Sequence, residues 1–164
     1  MTTKTPRKYK QIAIVVKDIE KALKNWHEML GIGPWAVRTF NPSTVRDFYV
    51  DGKLVTEDFE FIIAVCWEGE IEWELIQPVK GPNIYWRHLE TEGEGLHHVK
   101  EIISDENIPG VIAEFAARGI PVTQTGWIDG DCHYYLDTKA TLGYIYEIGN
   151  GGPISPATRM YPSA

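Results

Sequence analysis

The chain has 164 residues, 43% of them hydrophobic and 24% charged, which suits one compact unit or two small halves sharing a core. Its 23 acidic against 16 basic residues give a net charge of −7, so the surface repels a phosphate backbone and nucleic acid is not an expected partner. No apolar run approaches the roughly 20 residues of a bilayer-spanning helix, and MTTKTPRKYK at the start lacks the apolar stretch of a secretion signal; a cytoplasmic protein without membrane contact is expected.

Gln11 to Val16 reads as an apolar strand. Asp18 then caps a helix that runs to Leu30, with Ile19, Ala22, Leu23, Trp26 and Leu30 on its apolar face. Gly31 and Gly33-Pro34 end that helix. Within Arg38 to Asp58 lies extra length with no counterpart later in the chain, and Trp35, Phe40, Phe48 and Tyr49 in and beside it suggest either core packing or an apolar lid. Phe59 to Trp67 and Ile71 to Gln77 flank the turn Glu68-Gly69-Glu70 and read as a hairpin. Residues 81–95 form a linker with a short helix from Asn83 to Glu90.

The opening pattern then returns. His98 to Ser104 reads as a strand, Asp105 takes the cap position, and Ile108 to Arg118 supplies a helix with Pro109 in its first turn and Gly119 at its end. Pro121 to Thr125, His133 to Asp137 and Tyr144 to Ile148 are the closing strands. The chain thus divides into a first module over 8–80, the linker over 81–95 and a second module over 96–152, the two modules being copies of one supersecondary unit. Cys66 and Cys132 lie in strand-like apolar surroundings without CxxC spacing and are expected as reduced core thiols.

Duplication turns scattered polar residues into a set. Matching Asp18 with Asp105 puts Gln11 opposite His98, in preference to His97, and matching the final strands puts Glu74 opposite Glu147. Strand alternation leaves Ile71, Trp73 and Leu75, and likewise Tyr144, Tyr146 and Ile148, to pack on helices, so that Glu74 and Glu147 share the other side. An amide oxygen, two carboxylates and an imidazole converging there suit a divalent metal, and zinc, nickel, cobalt, manganese and iron all match those donors. Taken one at a time, the same residues would read as ordinary polar positions on a solvated sheet face.

The stretches QIAIVVKDIEKALKNWHEMLGIG, IEWELIQP, GEGLHHVKEIISD and YLDTKATLGYIYEI resemble glyoxalase I and methylmalonyl-CoA epimerase of the vicinal oxygen chelate superfamily over nearly the whole chain. The resemblance implies an α+β fold of two tandem βαβββ modules whose mixed sheets form a concave metal-binding cleft, with Gln11, Glu74, His98 and Glu147 as ligands. It implies an isomerase, epimerase or lyase that removes a proton next to a carbonyl of a small acid or thioester. Glu147 is the base if the chemistry follows glyoxalase, and Glu57 or Asp58 if it follows the epimerase by a loose alignment. Homodimers are usual for such relatives. Lys100, where relatives often carry a small or apolar side chain, either binds an anionic substrate or extends to solvent. Glu72 is a partner of the ligands or a rim charge, and His133 and Tyr135 line the cleft or pack across strands. Two further readings are a metal-free drug-binding protein like the bleomycin-resistance proteins and, ranked lower because Gln11 stands where a histidine would be needed, an extradiol dioxygenase.

Overall fold

A computed structural model describes residues 7–164; the start of the segment read for a secretion signal, residues 1–6, lies outside the described residues. In chain order the elements are β1 (Tyr9–Val15), α1 (Ile19–Leu30), β2 (Trp35–Phe40), β3 (Arg46–Val50), β4 (Lys53–Leu54), β5 (Glu60–Glu68), β6 (Ile71–Lys80), α2 (Ile84–Thr91), β7 (Gly95–Ile102), α3 (Ile108–Ala116), β8 (Val122–Ile128), β9 (Asp131–Leu136), α4 (Lys139–Leu142), β10 (Ile145–Gly149) and β11 (Arg159–Tyr161). Among the described residues, no helix is long and apolar enough to cross a membrane.

Local chemistry explains the first helix closely. The Asp18 carboxylate accepts from the Lys21 N–H at 3.0 Å and Gly31 closes the far end at φ 69°, a left-handed conformation that glycine adopts without a Cβ penalty. The expected cap at Asp105 is a correction: α3 starts after Asn107, whose side chain makes no capping bond, and Pro109 occupies its first turn. Pro109 has no N–H to satisfy there, which lowers the demand for a cap.

The strands form one mixed sheet in the order β11-β2-β5-β6-β1-β7-β10-β9-β8-β3-β4. Its centre is two equivalent halves. β1 pairs parallel with β6, and β7 pairs parallel with β10; an antiparallel β1/β7 seam joins them. This is the α+β, twice-used βαβββ architecture expected from the sequence. One face carries α1 and α3, with Trp35 and Leu75 packed against Leu23 of α1 and Tyr146 and Ile148 packed near Ile108 of α3. The opposite face holds a second core of Phe40, Phe48, Phe59, Phe61, Tyr85 and Tyr135, leaving a cavity beside it.

Two connections bridge the halves. β3, from the extra length of the first half, pairs with β8 of the second, with Tyr49 opposite Thr125. After β10 the chain crosses back, and β11 pairs with β2. The aromatic lid does not form as one cluster: Trp35 is buried on the helix side against Trp26, Phe40 and Phe48 are core, and Tyr49 is exposed. The linker helix α2 is structural as well, since Ile84 and Tyr85 are buried in the core on the cavity side. Cys66 and Cys132 are free and buried.

Candidate functional site

Four neighbouring strands, β6, β1, β7 and β10, set out the site as two rows. Glu72, Gln11, Lys100 and Glu147 are successive cross-strand partners in one row; Glu74, Ala13, His98 and Ile145 form the next. Cross-strand partners project to the same face of a sheet. The small Ala13 between Glu74 and His98 leaves space for those two side chains to meet. They do: His98 Nε2 lies 3.2 Å from Glu74 Oε2, 2.8 Å from Glu147 Oε2 and 3.2 Å from Gln11 Oε1. All four residues are buried.

A β-bulge sits at His97, because Ala13 faces His98 while the next residue, Ile14, faces Leu96. The extra residue brings both histidines to one side, and their Nδ1 atoms meet at 2.8 Å. One nitrogen must donate there and the other accept. Burial and the neighbouring His98 hold His97 well below the ordinary histidine range, so the neutral ring has a free lone pair and accepts from His98. That bond leaves Nε2 of His98 as the atom facing the carboxylates, and it fixes ring orientation in the way partners of metal-bound histidines do.

Charge is concentrated here. Burial opposes protonation of His98, but Glu147 and Glu74 outweigh it and raise the imidazole to about 9. Burial likewise works against the Glu147 carboxylate, yet Lys100 and His98 hold it at about 2. Lys100 Nζ lies 3.2 Å from Glu147 Oε1 and 3.5 Å from Asp131 Oδ2; its pKa is raised by those carboxylates against burial. Glu72 is raised to about 7 by burial and by Glu74, while Gln11 Nε2 donates to its Oε1 at 2.6 Å.

These donors fit a divalent ion on two observations. Glu74 Oε2 and Glu147 Oε2 are buried with no partner other than His98, and a cation held among these side chains would satisfy both oxygens. Ligands bound at about 2.1 Å and at right angles stand ~3 Å apart, close to the separations seen from His98. The donors are drawn in on one another, and among the described residues no three His, Cys, Asp or Glu side chains stand ready-spaced around a centre. A bound ion would part them and take the place of the His98 Nε2 proton.

Beside the cluster is a cavity of about 330 Å³. Gln11, Glu72, Glu74, Lys100, Asp131, His133 and Glu147 form its polar part; Phe40, Phe61, Ile63, Val65, Ile128 and Ile154 form its apolar wall. Lys100, His133 and Tyr135 therefore line the same cavity as the donor cluster. The Tyr135 hydroxyl meets that of Tyr85 at 2.9 Å, and its ring lies 4.9 Å from His98. Glu57 does not join them: it is exposed before β5, where its carboxylate accepts from the Thr56 N–H at 3.3 Å, and it lines neither cavity wall nor cluster. Asp58 pairs instead with Lys80 at the surface. Sequence reading missed Asp131, which alternation from His133 would have exposed, and Tyr85, whose approach depends on how α2 docks.

The sequence profile of the Glyoxalase/Bleomycin resistance protein/Dioxygenase superfamily matches residues 10–136. A search of curated protein sequences returned no match. Among solved structures, a hypothetical protein from Bacillus halodurans C-125 is similar at a TM-score of 0.67 and 20% identity, covering 92% of this chain and 99% of that one. Methylmalonyl-CoA epimerase from Mycobacterium tuberculosis is similar at 0.66 and 14%, covering 93% of each. A methylmalonyl-CoA epimerase in complex with methylmalonyl-CoA and NH4+ is similar at 0.61 and 16%, covering 93% of this chain and 100% of the other.

Proposed function

The chain belongs to the glyoxalase/bleomycin resistance protein/dioxygenase superfamily, and from that premise we propose that it is a divalent-metal-dependent isomerase, epimerase or lyase that removes a proton next to a carbonyl. The observation that carries this reading is the meeting of Gln11, Glu74 and Glu147 oxygens at His98 Nε2 within 2.8 to 3.2 Å. Those four side chains would hold the ion, whose identity among zinc, nickel, cobalt, manganese and iron is left open by an oxygen and nitrogen donor set. When bound, the ion supplies Lewis acidity toward a substrate oxygen, lowering the cost of the charge that develops as the adjacent carbon loses its proton.

The remaining work falls to the chain's own residues. In this reading Glu147 is the group that accepts the proton, with Lys100 Nζ 3.2 Å from its Oε1 to hold it in place. Lys100, His133 and Tyr135 orient the substrate, while the Phe40, Phe61 and Ile63 wall excludes water. A small carbonyl or carboxylate compound suits the cavity, including the acyl part of a thioester, the substrate type held in the epimerase complex. A homodimer is the proposed working unit, and all four donors come from one chain.

The test is exchange of the substrate α-proton into deuterated water by protein of measured metal content, with methylmalonyl-CoA and related small thioesters as substrates. Glu147→Gln is expected to cut exchange by about 100-fold or more, and undiminished exchange would remove Glu147 from the role of base. One observation favours a second reading, a metal-free binding protein: His98 and Lys100 already balance the charges of Glu74 and Glu147. Protein purified without chelators that neither contains nor takes up metal would support that reading over the enzyme.

A further inference from the structure

His133 on β9 is buried, and its fully enclosed Nε2 has no hydrogen-bond partner among the described residues. Buried polar groups are nearly always paired, and each exception calls for a reason. The reason here is not crowding by the wrong neighbours but an absence of neighbours. On both sides its cross-strand partner is a glycine, Gly126 on β8 and Gly149 on β10. A side chain at Gly126 would begin 3.0 Å from Val45 Cγ1 and 3.2 Å from His133 Cε1, and one at Gly149 would begin 2.2 Å from the Cys132 carbonyl oxygen and 2.9 Å from Lys100 Cε. Glycine at both places thus leaves room for the His133 ring and the Lys100 stem, and the ring forms part of the cavity lining beside Glu147.

Groups facing the ring also set its charge. Burial lowers His133 to about 4; Glu147 pulls the other way, but Lys100 and His98 add to the lowering. The ring is uncharged at neutral pH, with one N–H to give. A neutral imidazole can donate to a developing oxygen anion without itself bringing a charge into the site.

We propose that His133 donates a ring N–H hydrogen bond to an oxygen of the bound substrate, so that the site selects ligands presenting an acceptor oxygen toward β9. This deepens the function proposed above and rests on it in one respect, that the substrate occupies this cavity next to a metal-loaded cluster.

The probe is acetohydroxamate, a small two-oxygen chelator, added to the full chain loaded with zinc. Wild-type protein is expected to bind it, and the His133 ring N–H resonance to move downfield on binding. His133→Leu should weaken binding about 10- to 100-fold with zinc affinity unchanged, whereas His133→Gln, which keeps a donor, should stay within about three-fold. Equal affinity in wild type and His133→Leu, or a His133 resonance that does not respond, overturns the inference and leaves the metal-site reading intact. Should His133→Leu fail to fold, the wild-type resonance decides alone. Wild-type protein that takes up no zinc, or takes it up and ignores the probe, defeats the inference; only the former also defeats the metal-site reading.

Discussion

Burial alone would strip the proton from His98, and it stays on because Glu147 and Glu74 stand 2.8 and 3.2 Å from Nε2. In metal-free protein the folded state therefore binds that proton more tightly than the unfolded chain does. Its stabilising contribution is complete below the unfolded value of 6.5 and is lost as pH rises through about 9. Urea denaturation in the presence of a chelator should show stability falling by something on the order of 3 kcal/mol between those limits, and His98→Gln should show no such fall. Individual site residues were legible to different degrees. Gln11, Glu74, His98 and Glu147 all lie on regular strands, where alternation determines the face, so their meeting could be anticipated. Lys100 follows the same alternation, although its burial between Glu147 and Asp131 depends on partners contributed by other strands. Glu57 was misplaced because it lies in the irregular stretch before β5, where differing loop lengths carry no register.

Among the elements, the two helices that open the halves make a paired experiment. Asp18 caps α1 and Asp105 caps nothing. Thermal or urea unfolding should find Asp18→Ala destabilising by about 1 kcal/mol and Asp105→Ala within about 0.5 kcal/mol of wild type. The helices α1, α2 and α3 and the strands β1 and β5 to β10 were readable from periodicity, glycine stops and turn signals, which are local, whereas β2, β3, β4, α4 and β11 were not read. The His97 bulge was not, because an inserted residue shows only against its partner strand, and the sequence offers two adjacent histidines without saying that both turn to one side. Similarly, the aromatic run near Phe48 signalled burial but not which core would receive each ring, and Trp35 and Phe48 went to opposite faces of the sheet.

At the scale of the whole molecule, the antiparallel β1/β7 seam brings the donor strands of both halves together, so that each half alone holds only part of the cluster. The two crossings, β3 onto β8 and β11 onto β2, tie one half to the other away from that seam. Repeat matching grouped the four donors but did not indicate the antiparallel β1/β7 pairing that joins them. Both crossings pair segments distant in sequence, and neither carries a turn motif or spacing that would announce its partner; the C-terminal segment also supplies Gly151, Gly152 and Ile154 to the cavity wall. The proposed function depends most directly on whether the seam is a metal centre. Calorimetric titration of chelator-treated protein with zinc should give one ion per chain, with affinity falling at least ten-fold in each of Gln11→Ala, Glu74→Ala, His98→Ala and Glu147→Ala. Zinc binding that is absent, or that survives undiminished in His98→Ala and Glu74→Ala, would contradict it.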